Sequence, residues 1–265
     1  MFKADHGSAV TEKLVSDLKI EMCASSIIGT RKYQQDSYAI IDTDKGKLAV
    51  VCDGMGGLAG GERASALGIS VLTEDFIRTP VTDARVFFRE EAIKLDKLVY
   101  DLCDENENKL GAGTTIVSVF IKNDMTDWLS VGDSKIYIIR NNALYCVVRE
   151  HNYRLILDDR LQKGELSQEE YIRESVQAEA LISYLGMGEL SLMDINNEHF
   201  RLYPGDVIIL CSDGVYKTLN NDMILASVVD NYYDLQKAAD TITECAMEYS
   251  AGSQDNTTVV LIRCS

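Results

Sequence analysis

The chain has little that would break, crosslink or anchor a fold. Among 265 residues there are two prolines, Pro80 and Pro204, and no Gly/Ser/Pro-rich run that could serve as a linker, so one domain spanning residues 1–265 is expected. The seven cysteines (Cys23, Cys52, Cys103, Cys146, Cys211, Cys245, Cys264) include no C-x₂-C pair, which removes the zinc-ribbon and thioredoxin readings. Several lie inside apolar runs and read as reduced core thiols. Residues 1–13 lack the apolar stretch of a signal peptide, and no run reaches membrane-spanning length; a cytoplasmic protein without a membrane partner is expected. Positive charge is also scarce. With 26 basic against 42 acidic residues the formal net charge is −16, a balance that repels nucleic acid and anionic lipid. An anionic substrate would need a local cation to offset that field.

What is present comes in blocks. Residues 19–25, 37–41 and 47–52 read as strands, the last ending abruptly in the glycine cluster DGMGGLAGG. Helical patterns cover 62–78 and 83–102. Strand-type residues return at 114–121, 128–131, 135–139 and 143–148, and the short turns between them suggest an antiparallel meander. Residues 153–183 form a polar, helical excursion with a capping box at Ser167–Glu170. Strands resume at 198–202 and 207–211; a helix with one apolar face runs from Leu235 to Tyr249, and a strand occupies 257–263. Blocks without strict βαβ alternation argue for an α+β layered sandwich with antiparallel sheets.

Four places share one grammar: an aspartate at a strand end beside a turn-forming residue. They are Asp36 before SYAII, Asp53-Gly54 after LAVVC, Asp213-Gly214 after VIILCS, and Asp255-Asn256 before TTVVLI; Gly132-Asp133-Ser134 joins two further strands. Singly, each is ordinary turn chemistry. Together they could converge at one sheet edge, where carboxylates crowd only if cations neutralise them. No histidine accompanies them, and the nearby Cys52 and Cys211 read as core thiols, so the donor set is all oxygen and suits Mg²⁺ or Mn²⁺. Two such ions about 3.5–4 Å apart lower the pKa of a bridging water and stabilise in-line displacement at phosphorus.

The motif series GTRKYQQD, VCDGMGG, GAGTT, VGDSKIY, CSDGVY and SQDNTTVV, spread over residues 29–260, resembles the PPM family, the type-2C metal-dependent serine/threonine protein phosphatases, in its bacterial branch. The resemblance implies a four-layer αββα sandwich with a helical flap at about 153–183. It implies two Mn²⁺ or Mg²⁺ ions, with Asp53 bridging them, Gly54 giving a backbone carbonyl to one, and Asp213 and Asp255 holding the other. Asp36 would support the cluster partly through water, Asp133 with Asp213 would hold a weaker third ion, and Arg31 would bind the phosphate. Its guanidinium forks onto two phosphoryl oxygens and keeps its charge. A bridging hydroxide would attack phosphorus directly. The implied partners are phosphorylated proteins, those of a cognate serine/threonine kinase, and a monomer is expected.

Two departures bear on this. Gln34 stands where the family has asparagine and is expected to loosen the loop before Asp36, and Met55 stands where some relatives have histidine, leaving the proton donor open. They motivate an alternative, a pseudophosphatase that binds phosphoproteins without turnover. His151 is read as structural or substrate-side, His6 and His199 as surface residues, Trp128 as core, and the segment Leu185–Gly188 as backbone positioning.

Overall fold

Apolar runs bounded by turn residues become the strands. In the computed structural model, which describes residues 18–56, 60–190 and 192–265, three strands come first: β1 (Ile20–Ile27), β2 (Asp36–Thr43) and β3 (Gly46–Met55). His6 and residues 57–59 of the glycine cluster lie outside the described residues. Helices α1 (Gly60–Arg78) and α2 (Ala84–Tyr100) follow. Asp83 caps α2 by accepting from the N–H groups of Arg85 and Val86. Then come β4 (Gly113–Thr114), β5 (Ile116–Lys122), β6 (Met125–Val131), β7 (Lys135–Arg140) and β8 (Ala143–Cys146). The excursion contains α3 (Tyr153–Gln162) and α4 (Gln168–Glu174), and the Ser167–Glu170 capping box is formed. The remaining elements are β9 (Asp194–Ile195), β10 (Phe200–Arg201), β11 (Val207–Cys211), α5 (Asp213–Tyr216), α6 (Asn221–Val229), α7 (Leu235–Tyr249) and β12 (Thr257–Cys264).

The strands make two antiparallel sheets, ordered β1-β12-β11-β7-β8 and β10-β6-β5-β3-β2, with β4 paired to β3 and β9 to β6. Three layers of buried side chains separate four layers of backbone. Leu48, Val50, Ile116 and Leu129 face α1 and α2 through Leu72, Phe76 and Leu95. Ile209, Val259 and Leu261 face α6 and α7 through Ile224, Ala239 and Ile242. Val51, Val117, Val119, Ile136, Ile208 and Val260 fill the space between the sheets. The αββα sandwich expected from the sequence is the architecture observed.

The meander is not. β5–β6 and β7–β8 are two hairpins in different sheets, and the chain crosses between sheets at residues 132–134. Strands that are apolar on both faces carry no periodicity that tells which sheet they join. Asp213-Gly214 is likewise no simple turn; Asp213 begins helix α5. α6 has no counterpart among the sequence-based expectations, because its nine residues, NDMILASVV, lack a clear apolar stripe.

The excursion closes at its base through a bridge between Asn152 and Leu181 and has a small core of its own in Leu157, Leu166 and Ala178. The segment after it is held by Asp96, a buried carboxylate on α2 that accepts from the N–H groups of Gly186, Met187, Gly188 and Leu190 at 2.8–3.1 Å. That fits the backbone-positioning reading of residues 185–188. Trp128 is half-buried, edge-on to Phe200 at 5.9 Å.

Candidate active site

The pairing of β2 with β3 sets Asp36 directly opposite Asp53. Asp213 follows the end of β11, Asp255 precedes β12, and Asp133 sits in the crossing between sheets. The site therefore straddles one end of both sheets. Arg31, Asp53, Gly54, Asp133, Asp213 and Asp255 all line a cleft of about 340 Å³, and Asp36 lies beneath it, nearly fully buried. All seven residues singled out in the sequence are brought together.

Backbones meet here without side chains between them. A Cβ on Gly54 would sit 2.1 Å from the Gly61 carbonyl oxygen, and one on Gly214 would sit 2.1 Å from that of Asn256. These approaches fix where β3 meets α1 and where α5 meets β12.

The carboxylates strain against one another. Burial, with the charges of Asp36, Asp213 and Asp133, holds the Asp53 carboxyl well above the usual carboxylate range. Burial pushes Asp36 up to about 7; the charges of Asp213 and Asp255 add to this, and a hydrogen bond from Ser212 opposes it. Asp133 is raised by burial and by Asp213. Among the described residues, no three His, Cys, Asp or Glu side chains are gathered at the spacing of one closed metal shell. Like charges stay apart without a cation between them, and two basic side chains occupy the gaps. Arg31 pairs with Asp255 at 2.5 Å, and Lys217 pairs with Asp213 at 2.5 Å and faces Asp133 at 3.6 Å. Burial alone would lower Lys217, but the surrounding carboxylates outweigh it and hold the ammonium charged.

A set of neutral groups holds the aspartates in place. Ser212 Oγ donates to Asp36 Oδ2 at 2.7 Å and accepts from the Thr258 N–H. Asp36 Oδ1 is buried with no hydrogen-bond partner. Gln34 does not loosen its loop: its Oε1 accepts from the Asp36 N–H at 3.1 Å, so the longer side chain still reaches. Asn256 ties down the loop that carries Arg31, accepting from the Gln35 N–H and donating to the carbonyls of Ile28 and Tyr33. Gln254, also buried, donates to the Gly214 carbonyl and to Thr257 Oγ1. His151 is fully buried; its Nδ1 accepts from the Gly132 N–H, placing the ring proton on Nε2, which faces Asp194 across 3.4 Å. It braces the turn before Asp133. His199 is half-exposed and bonds to buried Asp127.

Sequence reasoning missed Lys217, Asn256 and Gln254 as parts of the site. A signal existed for Lys217, which stands one helical turn after Asp213, a spacing that pairs opposite charges. Glu179 and Leu181, from the excursion, also line the cleft. A larger pocket of about 520 Å³ lies elsewhere, between Arg140, Tyr203, Val228 and Tyr232, away from the aspartates. Its one acidic lining residue, Asp206, is already paired bidentately with Arg140.

A family model described as Protein phosphatase 2C matches residues 25–250. A serine/threonine phosphatase stp of Listeria welshimeri is 24% identical over 88% of this chain and 90% of its own length. The protein phosphatase PhpP of Streptococcus pneumoniae is 25% identical over 81% of this chain and 85% of its own. Among solved structures, the serine/threonine phosphatase of S. agalactiae superposes with a TM-score of 0.79 at 25% identity, covering 92% of this chain and 99% of that one. The catalytic domain of PstP, solved with two manganese ions, superposes with a TM-score of 0.74 at 23% identity, covering 94% and 99%, a likeness of fold.

Proposed function

The chain belongs to the protein phosphatase 2C family, and on that premise we propose that it hydrolyses phosphoserine and phosphothreonine on proteins, with the aspartate cleft as a two-ion centre. The observation that carries this is the convergence of Asp36, Asp53, Asp133, Asp213 and Asp255 with Arg31 at one end of both sheets. The residues fit Mn²⁺ or Mg²⁺. Their donors are oxygens, Asp36 keeps a buried oxygen with no partner, and Asp53 is disfavoured as an anion unless a cation comes close.

Asp53, the Gly54 carbonyl, Asp213 and Asp255 would hold the ions, and buried Asp36 would support the set. When bound, the two ions supply charge neutralisation and the activated water that attacks phosphorus. The chain's own groups do the rest. Arg31, held over the cleft by Asp255, binds the phosphoryl oxygens and offsets their charge. Lys217 adds a second fixed cation. Together they answer the difficulty posed by a surface of net charge −16. Ser212 keeps Asp36 oriented, and Asn256 keeps the Arg31 loop in register with β12. Glu179 and Leu181 flank the cleft where residues next to the phosphorylated side chain would lie. We read the chain as one catalytic domain, monomeric, acting on the products of a serine/threonine kinase. Among the described residues no helix is long and apolar enough to cross a membrane.

The test is turnover of a phosphothreonine peptide and of a small aryl phosphate, with Mn²⁺ and with chelator. Wild-type protein should turn over only with the metal, and Asp53→Asn should lower the rate by about 10²–10³-fold or more. No metal-dependent turnover, with Asp53→Asn indistinguishable from wild type, would leave a binding module instead.

A further inference from the structure

The resemblance to the family places a weaker third ion between Asp133 and Asp213, but in this chain a side chain already spans that gap. Lys217 Nζ lies 2.5 Å from Asp213 Oδ2 and 3.6 Å from Asp133 Oδ2. The position is built rather than incidental. Lys217 is the C-cap of helix α5, so its stem starts one turn beyond Asp213. The neighbouring Tyr216 hydroxyl donates to the Asp133 carbonyl at 3.0 Å, which ties the crossing turn to the same helix. Lys135 stacks on the far side, its Nζ 3.7 Å from the Tyr216 ring centroid, and is paired with Glu150, so it does not compete for Asp133.

We propose that Lys217 is the resident cation of the Asp133–Asp213 edge, and that this phosphatase binds two divalent ions where its family pattern would allow three. The proposal rests on the reading of the site as a two-ion phosphatase centre. An ammonium paired with Asp213 Oδ2 and facing Asp133 Oδ2 fills the space that a divalent ion between those two oxygens would need, and the two cations repel each other at contact distance. A fixed side chain also supplies its charge at any metal concentration. The third cation in this centre is therefore set by the sequence and not by the supply of metal.

The count of bound Mn²⁺ tests this, read as loss of the free-ion electron paramagnetic resonance signal on titration. Thermal melts establish that each variant is folded. Wild-type protein should take up two equivalents, and Asp133→Asn should also take up two. Lys217→Met, which removes the ammonium without adding a ligand, should take up a third, at least about tenfold more tightly than any further uptake by the wild type, and Lys217→Met/Asp133→Asn should lose it. Three equivalents in the wild type with two in Asp133→Asn overturn the proposal and leave the phosphatase reading standing. So does a folded Lys217→Met that gains nothing. No uptake by the wild type overturns both.

Discussion

Replacing Asn256 with alanine should unfasten the loop that carries Arg31 and Asp36. The side chain is nearly fully buried and makes three hydrogen bonds to backbone: from the Gln35 N–H at 2.8 Å, to the Ile28 carbonyl at 2.9 Å and to the Tyr33 carbonyl at 3.0 Å. Each bond contributes about 0.5–1.5 kcal/mol net, and an orphaned donor adds to the loss, so Asn256→Ala should destabilise the protein by about 2–4 kcal/mol. Asn256→Asp should do no better, since it keeps the acceptor but sets a negative charge against two carbonyls. The loss should appear in denaturant unfolding of chelator-treated protein, because the contacts involve no metal. Affinity for Mn²⁺ should weaken as well, since Gln35 leads directly into Asp36. A loss below about 0.5 kcal/mol with unchanged Mn²⁺ affinity would refute the reasoning, and the loop would then be held by other contacts.

Metal-free protein should be more stable in mild acid than in mild alkali. Burial raises Asp36 from its ordinary 3.8 to about 7, above the unfolded value, so its contribution is full below about pH 4 and is lost as pH rises through 7; the gap corresponds to about 4 kcal/mol. Glu91, pushed to about 7 by burial and by Asp75, acts in the same direction. Denaturant midpoints in chelator should fall between about pH 5 and pH 8, less steeply in Asp36→Asn, and a midpoint that rises would contradict the electrostatic picture. Gly54→Ala forces a Cβ to within 2.1 Å of the Gly61 carbonyl oxygen, so it should cost about 1–3 kcal/mol or more and lower the melting temperature; an unchanged melt would show that the two backbones can part freely.

The legible parts of this chain were those with local signatures. Aspartates beside turn residues at strand ends can be read singly, and their order along the chain carried both the site and the sandwich. The illegible parts depended on which distant elements meet. β5 and β7 are buried on both faces, so nothing in their periodicity assigned them to different sheets. Asn256 looked like half of a turn, and its three bonds exist only because residues 28–35 pass beside β12. Gln34 read as a loosening substitution, yet its longer side chain still accepts from the Asp36 N–H. Lys217 drew no notice in the sequence, and only the crossing between sheets brings Asp133 to within 3.6 Å of it.

The central claim is that five separated aspartates form one metal centre. Anomalous difference density from crystals soaked in Mn²⁺ tests it most directly. The account predicts two peaks in the cleft, with Asp53 between them, the Gly54 carbonyl on one and Asp213 with Asp255 on the other. No peak in that cleft, or peaks held by other residues, would contradict it.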